Sequence, residues 1–145
     1  MSEYNSLVRR ARIFFLLLWL LGILFPMAWL GNFSVQYRQA FNAIFSPEWM
    51  HYLMHAVLYA GLAIMLVMVF RFEIHPCPVL TVLGLVLLVG IIQEGLQLWS
   101  GVQALRWNSL LDLGVDLSGA GFGLLLSGVT QRISARCGQK GVSER

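Results

Sequence analysis

The chain of 145 residues is 58% hydrophobic and 12% charged, with a mean hydropathy of +0.72, far from the about 45–50% apolar and about 25% charged usage of soluble domains. This composition implies a single all-α integral membrane domain over 1–145 and, at about 20 residues per span, leaves no length for a separate soluble domain. The net charge of +3 does not point to nucleic acid, because the basic residues flank apolar segments instead of forming a patch between aromatics.

Residues 1–12 form a polar tail ending in Arg9, Arg10 and Arg12, directly before an 18-residue apolar run from Ile13 to Leu30. The run is longer than a typical signal-peptide core, and no small-x-small cleavage site follows it, which predicts a retained first span over 13–30. Pro26 is expected to kink that span. Residues 31–50 are too polar to cross a bilayer, yet Tyr37, Phe41, Ile44 and Phe45 recur at helical spacing, which predicts a short helix lying in the interface. Ser46, Pro47 and Glu48 then supply a cap residue, a first-turn proline and an acid at the start of the next helix, which carries a second span over 52–70. The segment 71–78 reads as a tight loop, because its prolines oppose helix continuation. Spans over 79–99 and 110–129 follow, joined by the polar loop SGVQALRWNS, and 130–145 reads as a basic tail. Cys77 and Cys137 both fall on the side assigned to the cytoplasm, where thiols stay reduced, so no disulfide is expected.

Orientation follows from the distribution of Lys and Arg. Three in the N-terminal tail, one in the 71–78 loop and four in the C-terminal tail share one side, against Arg38 and Arg106 on the other. The expected protein has four transmembrane helices with both termini cytoplasmic, and Trp29, Trp49, Trp99 and Trp107 mark the outer ends of its spans.

This topology brings chemistry to one end. His51 and His55 lie near the outer end of the second span, Glu94 and Gln97 near that of the third, and Asp112 and Asp116 near that of the fourth, with Arg106 in the loop above. His51, His55 and Tyr59 are i, i+4 steps, as are Asp112 and Asp116, while Glu94 and Gln97 are i, i+3, so each set shares a helix face. Ionisable groups at membrane depth cost about 2.5–3.5 kcal/mol each on insertion scales and mark functional sites. The expected outward-facing pocket uses His55 and Glu94 for acid–base work, with Arg106 gripping a phosphate bidentately and Gln97, Asp112 and Asp116 completing ligand binding. Structural readings stand beside these. Asp112 follows Ser109 at capping-box spacing, Gln97 suits a helix-to-helix hydrogen bond, His51 suits a solvated rim, and the acids can form an ion-pair network with Arg106. Gly119 and Gly123 form a small-xxx-small pair assigned to helix packing. Neither HExxH nor another recognised ligand spacing is present, so no metal and no other cofactor is expected. The inner half of every span lacks ionisable residues, which argues against a proton or cation pathway.

From about Trp49 to Gly123 the sequence resembles the VanZ-like family of small bacterial membrane proteins. His55 and Tyr59 match a histidine four before a tyrosine, and Glu94 and Gln97 match ExxQ at the end of the third span. Arg106, Asp112, Gly119 and Gly123 match the arginine, aspartate and glycine pair that follow. Two positions depart from the pattern. His51 and Tyr52 stand where the family often has Asp-Lys, and Asp116 fills its asparagine slot. The resemblance implies a multi-pass protein of the bacterial inner membrane acting at the envelope, as in glycopeptide (teicoplanin) resistance. Membrane lipids or a lipid-linked envelope precursor are the implied ligands and other envelope proteins the candidate partners. A structural or accessory subunit without activity of its own is the alternative.

Overall fold

The computed structural model describes the backbone of residues 2–25, 30, 33–45, 47–99 and 107–143, and the side chains of 4–25, 30, 33–44, 47–99 and 110–134. Among the described residues the protein is all-helical. Its helices are α1 (Ser2–Leu24), α2 (Val35–Phe45), α3 (Glu48–Phe70), α4 (Pro76–Trp99) and α5 (Trp107–Ser143).

Helix α3 is the hub. It packs against α1, α4 and α5, most extensively against α5. Its buried positions His55, Tyr59, Leu62, Ala63, Leu66 and Val67 recur at three- and four-residue steps, the spacing of one helical face. All of these but His55 meet Val82 and Val86 of α4, Ala120 and Leu124 of α5, and Leu16 and Ile23 of α1 in one core. The outward faces are apolar as well. Leu53, Val57 and Met68 on α3, Leu87, Leu88 and Ile91 on α4, and Phe122, Leu125 and Val129 on α5 are all exposed. So large an apolar surface is incompatible with water and suits lipid. Accordingly α3, α4 and the 110–134 part of α5 are each long and apolar enough to cross a membrane.

Two small-residue contacts set the register of α3 on α5. A Cβ built on Gly119 would collide with the backbone of Ala56, and one on Gly123 with the backbone of Ala60. The pairs ascend together along both helices, so α3 and α5 run parallel, and α4 returns between them. Helix α1 runs antiparallel to α3, since Arg12 Nη1 donates to Met68 O at 3.1 Å and Trp19 Nε1 to Leu58 O at 2.9 Å.

Several predicted boundaries shift. The predicted first span, 13–30, becomes a helix that begins at Ser2 and ends at Leu24. Phe25 precedes a proline, which disfavours the helical region at that residue, while the polar tail offers the backbone ladder no such obstacle. With Arg9, Arg10 and Arg12 in its first half, α1 is not among the three helices that qualify by length and composition. The expected kink at Pro26 lies outside the described residues. The short helix expected in 31–50 is α2, with Tyr37 and Phe41 stacked one turn apart. Pro47 is the N-cap of α3, without a side-chain cap bond, and not its first-turn residue; Ser46 lies outside the described residues. The prolines of 71–78 start a helix, Pro76 being the first residue of α4, because a proline at that position gives up only an N–H that has no intrahelical partner. Arg71 ends α3 in the left-handed region at φ 53°, its N–H bonded to Val67 O. The tail is helical to Ser143.

At the Arg71 end of α3, Asn5, Ser6, Arg9, Arg12 and Arg71 contribute to a cavity of about 460 Å³. His51 lies 20 residues away on the same helix, or about 30 Å at 1.5 Å per residue. Arg9, Arg12 and Arg71 therefore lie at the opposite end of the bundle from His51 and His55.

Candidate functional site: a buried polar cluster between α3, α4 and α5

The N-terminal halves of α3 and α5 and the C-terminal end of α4 surround a set of polar side chains inside an otherwise apolar bundle. His55 is 5%, Asp112 1%, Asp116 2%, and Gln93 and Glu94 each 9% exposed. The i, i+4 spacing of His51 and His55 and of Asp112 and Asp116 stacks each pair along its helix, and the parallel packing set by the glycines brings the pairs into register. His55 Nδ1 lies 2.8 Å from Asp116 Oδ1, and His51 Nε2 lies 3.4 Å from Asp112 Oδ2. The first distance is that of a charge-assisted hydrogen bond and the second is longer than one. The imidazoles of His51 and His55 stand 4.6 Å apart, centroid to centroid, and are tilted by 46°.

Helix α4 closes the third side. Gly90 lets it approach closely, since a Cβ there would meet Leu113 at 2.8 Å and Asp116 Oδ2 at 3.1 Å. One turn further along α4, Gln93 accepts a 2.6 Å hydrogen bond from the Tyr59 hydroxyl through Oε1. Glu94, the next residue along α4, is likewise buried.

The structure distributes the sequence-predicted residues unevenly. His55, Asp112 and Asp116 belong to the cluster, and Glu94 borders it. Gln97 is half-buried one turn beyond Gln93. His55 takes Asp116 as its direct partner. Asp112 is not a capping residue, because α5 begins at Trp107 and Ser109 lies inside it. Arg106 lies outside the described residues; in sequence it directly precedes Trp107. Among the described residues the expected open pocket is a buried cluster with His51, whose side chain is 36% exposed, at its rim.

Two members are missing from the sequence-predicted site. His51 reads as a rim residue, yet its spacing from His55 already places both on one face. Gln93 is adjacent to Glu94 and therefore about 100° away around the helix; the available signal is Gly90 three residues earlier, a small position that marks the contact face of α4.

The arrangement has a chemical consequence. Accepting from Nδ1–H, Asp116 holds His55 in the tautomer whose Nε2 carries the free lone pair. Asp112 presents its second oxygen, Oδ1, buried and without a hydrogen-bond partner among the described residues. An unsatisfied carboxylate oxygen in an apolar interior is costly. In comparisons with known proteins, the chain matches no family model, no curated protein and no solved structure.

Proposed function

We propose that this is a VanZ-like multi-pass protein of the bacterial cytoplasmic membrane. Its α3/α4/α5 cluster receives the head group of an envelope lipid or lipid-linked glycan, a role of the kind linked to glycopeptide resistance. The observation that carries the reading is the polar cluster itself. Two imidazole–carboxylate contacts and an unpartnered carboxylate oxygen lie between helices whose outer faces are apolar, an arrangement too costly in hydrocarbon to be incidental. In this reading α1 is a fourth span, antiparallel to α3, both termini are cytoplasmic, and α2 lies in the outer interface. The separation of Arg9, Arg12 and Arg71 from His51 and His55 supports that polarity, because basic residues collect on the cytoplasmic side. Arg106 holds a phosphate, assisted by the N-terminus of α5. His55, oriented by Asp116, contributes hydrogen bonding or proton transfer, while Glu94 and Gln97 bind polar groups of the ligand.

The test is binding of phosphate-headed lipids to the full-length protein in nanodiscs. Arg106→Ala and Glu94→Gln should each weaken binding by about tenfold or more, the value of a hydrogen bond to a charged group, without lowering the melting temperature. Unchanged binding in both variants contradicts the proposal.

One observation favours a second reading, a structural or accessory subunit. Both His–Asp contacts and both Gly–Ala contacts join α3 to α5, so the cluster also acts as a lock between these helices. That reading expects the same substitutions to reduce stability and abundance in proportion to any loss of phenotype.

A further inference from the structure

We infer that His51, His55 and Asp112 form a binding site for a divalent transition-metal ion of the Zn²⁺ type, with Asp116 as the residue that positions His55. This inference rests on the geometry of four side chains and does not require the lipid reading. One nitrogen of each imidazole and one oxygen of Asp112 all lie within 4.8 Å of one another. In a tetrahedral zinc site with ligands at about 2.0–2.1 Å, neighbouring ligand atoms are about 3.3 Å apart. The 3.4 Å from His51 Nε2 to Asp112 Oδ2 matches that edge, whereas it is long for a hydrogen bond between an imidazole and a carboxylate.

The surroundings point the same way. Zinc-ligating histidines characteristically donate their other ring N–H to a carboxylate, which fixes the tautomer and strengthens the ligand; His55 does this through Nδ1 to Asp116 at 2.8 Å. Asp112, 1% exposed, keeps Oδ1 without a partner among the described residues. Charge balance adds a separate argument. Asp112 and Asp116 are buried, and among the described residues their only ionic partners are the two histidines. With neutral imidazoles, the state that ligates metal, the pair carries a charge that one divalent cation cancels.

Two imidazoles and one carboxylate leave a fourth coordination position open, as in catalytic rather than structural zinc sites, and imidazole donors favour Zn²⁺ over Mg²⁺ or Ca²⁺. In sequence, His51 and His55 have the i, i+4 spacing of the HExxH histidines without its glutamate. The third ligand comes from a helix 61 residues away, and a linear motif cannot display it.

The test is Co²⁺ and Zn²⁺ titration of the full-length protein, purified in detergent and stripped with chelator, followed by calorimetry and by the visible spectrum of Co²⁺. The expected result is one ion per chain with the intense bands of tetrahedral Co²⁺. Asp116→Asn should weaken affinity about 10–100-fold while the metal-free protein melts as wild type does. Asp112→Ala and His51→Ala should abolish the spectrum, and His75→Ala, in the loop at the opposite end of α3, should change nothing. Absence of stoichiometric binding by the wild-type protein overturns the inference, as does a spectrum that survives Asp112→Ala or depends on His75. Because the wild-type titration stands alone, variants that fail to fold do not rescue it. Metal binding with no lipid binding, or the reverse, separates this inference from the proposed function.

Discussion

Tyr59 is completely buried, and its hydroxyl has Gln93 Oε1 at 2.6 Å. Between membrane helices such a bond contributes about 0.6–2 kcal/mol. Tyr59→Phe is therefore expected to lower stability by that amount and leave the amide oxygen unsatisfied, whereas adding Gln93→Leu to it should cost less than the sum of the two single changes. A double-mutant cycle by unfolding in detergent reads the coupling, and strict additivity would show that the bond contributes nothing. At this scale the sequence is informative about candidates and silent about pairings. His51 with His55, and Asp112 with Asp116, are each visible as i, i+4 neighbours. That His55 takes Asp116 while His51 faces Asp112 depends on the axial offset between two helices, which no local pattern encodes.

That offset is an element-scale property, and Gly119 and Gly123 set it. Their Cβ positions fall on the backbone of Ala56 and Ala60, while Gly114 and Gly121 have nothing within 4 Å. Gly119→Val or Gly123→Val is expected to destabilise by about 1–3 kcal/mol or more through overpacking and to disturb the His–Asp pairs together. Gly114→Ala and Gly121→Ala should be near neutral. Equal melting temperatures across all four variants would contradict the packing. The small-xxx-small spacing makes this contact readable in advance, although its partner helix is not. Helix ends are less legible, because the sequence marks where polarity changes whereas a helix stops where its hydrogen-bond ladder does. Thus α1 begins at Ser2 in a polar tail, Pro76 starts α4, and α5 continues to Ser143.

At the scale of the molecule, three helices suited to crossing a membrane and an antiparallel α1 produce a bundle with a basic end and an imidazole–carboxylate end. The proposed orientation is open to cysteine labelling in a background with Cys77 and Cys137 replaced by serine. On intact cells a membrane-impermeant maleimide should modify Ser34→Cys, in the segment before α2, and spare Ser6→Cys and Ser134→Cys. The opposite pattern would invert the proposed topology. The apolar class of the protein is evident from composition, because hydrocarbon-facing surface must be apolar nearly everywhere. The closure of the polar end is not, because it arises from how Gly90, Gly119 and Gly123 let three helices approach.

The central proposal is that the polar end receives a ligand and is more than a lock between helices. Native mass spectrometry of the protein extracted gently from its membrane tests this most directly. A lipid with a phosphate head group should be retained by the wild-type chain and lost from an equally stable Arg106→Ala variant. A wild-type chain that carries no such lipid, or an Arg106→Ala variant that retains it in full, would contradict the proposal.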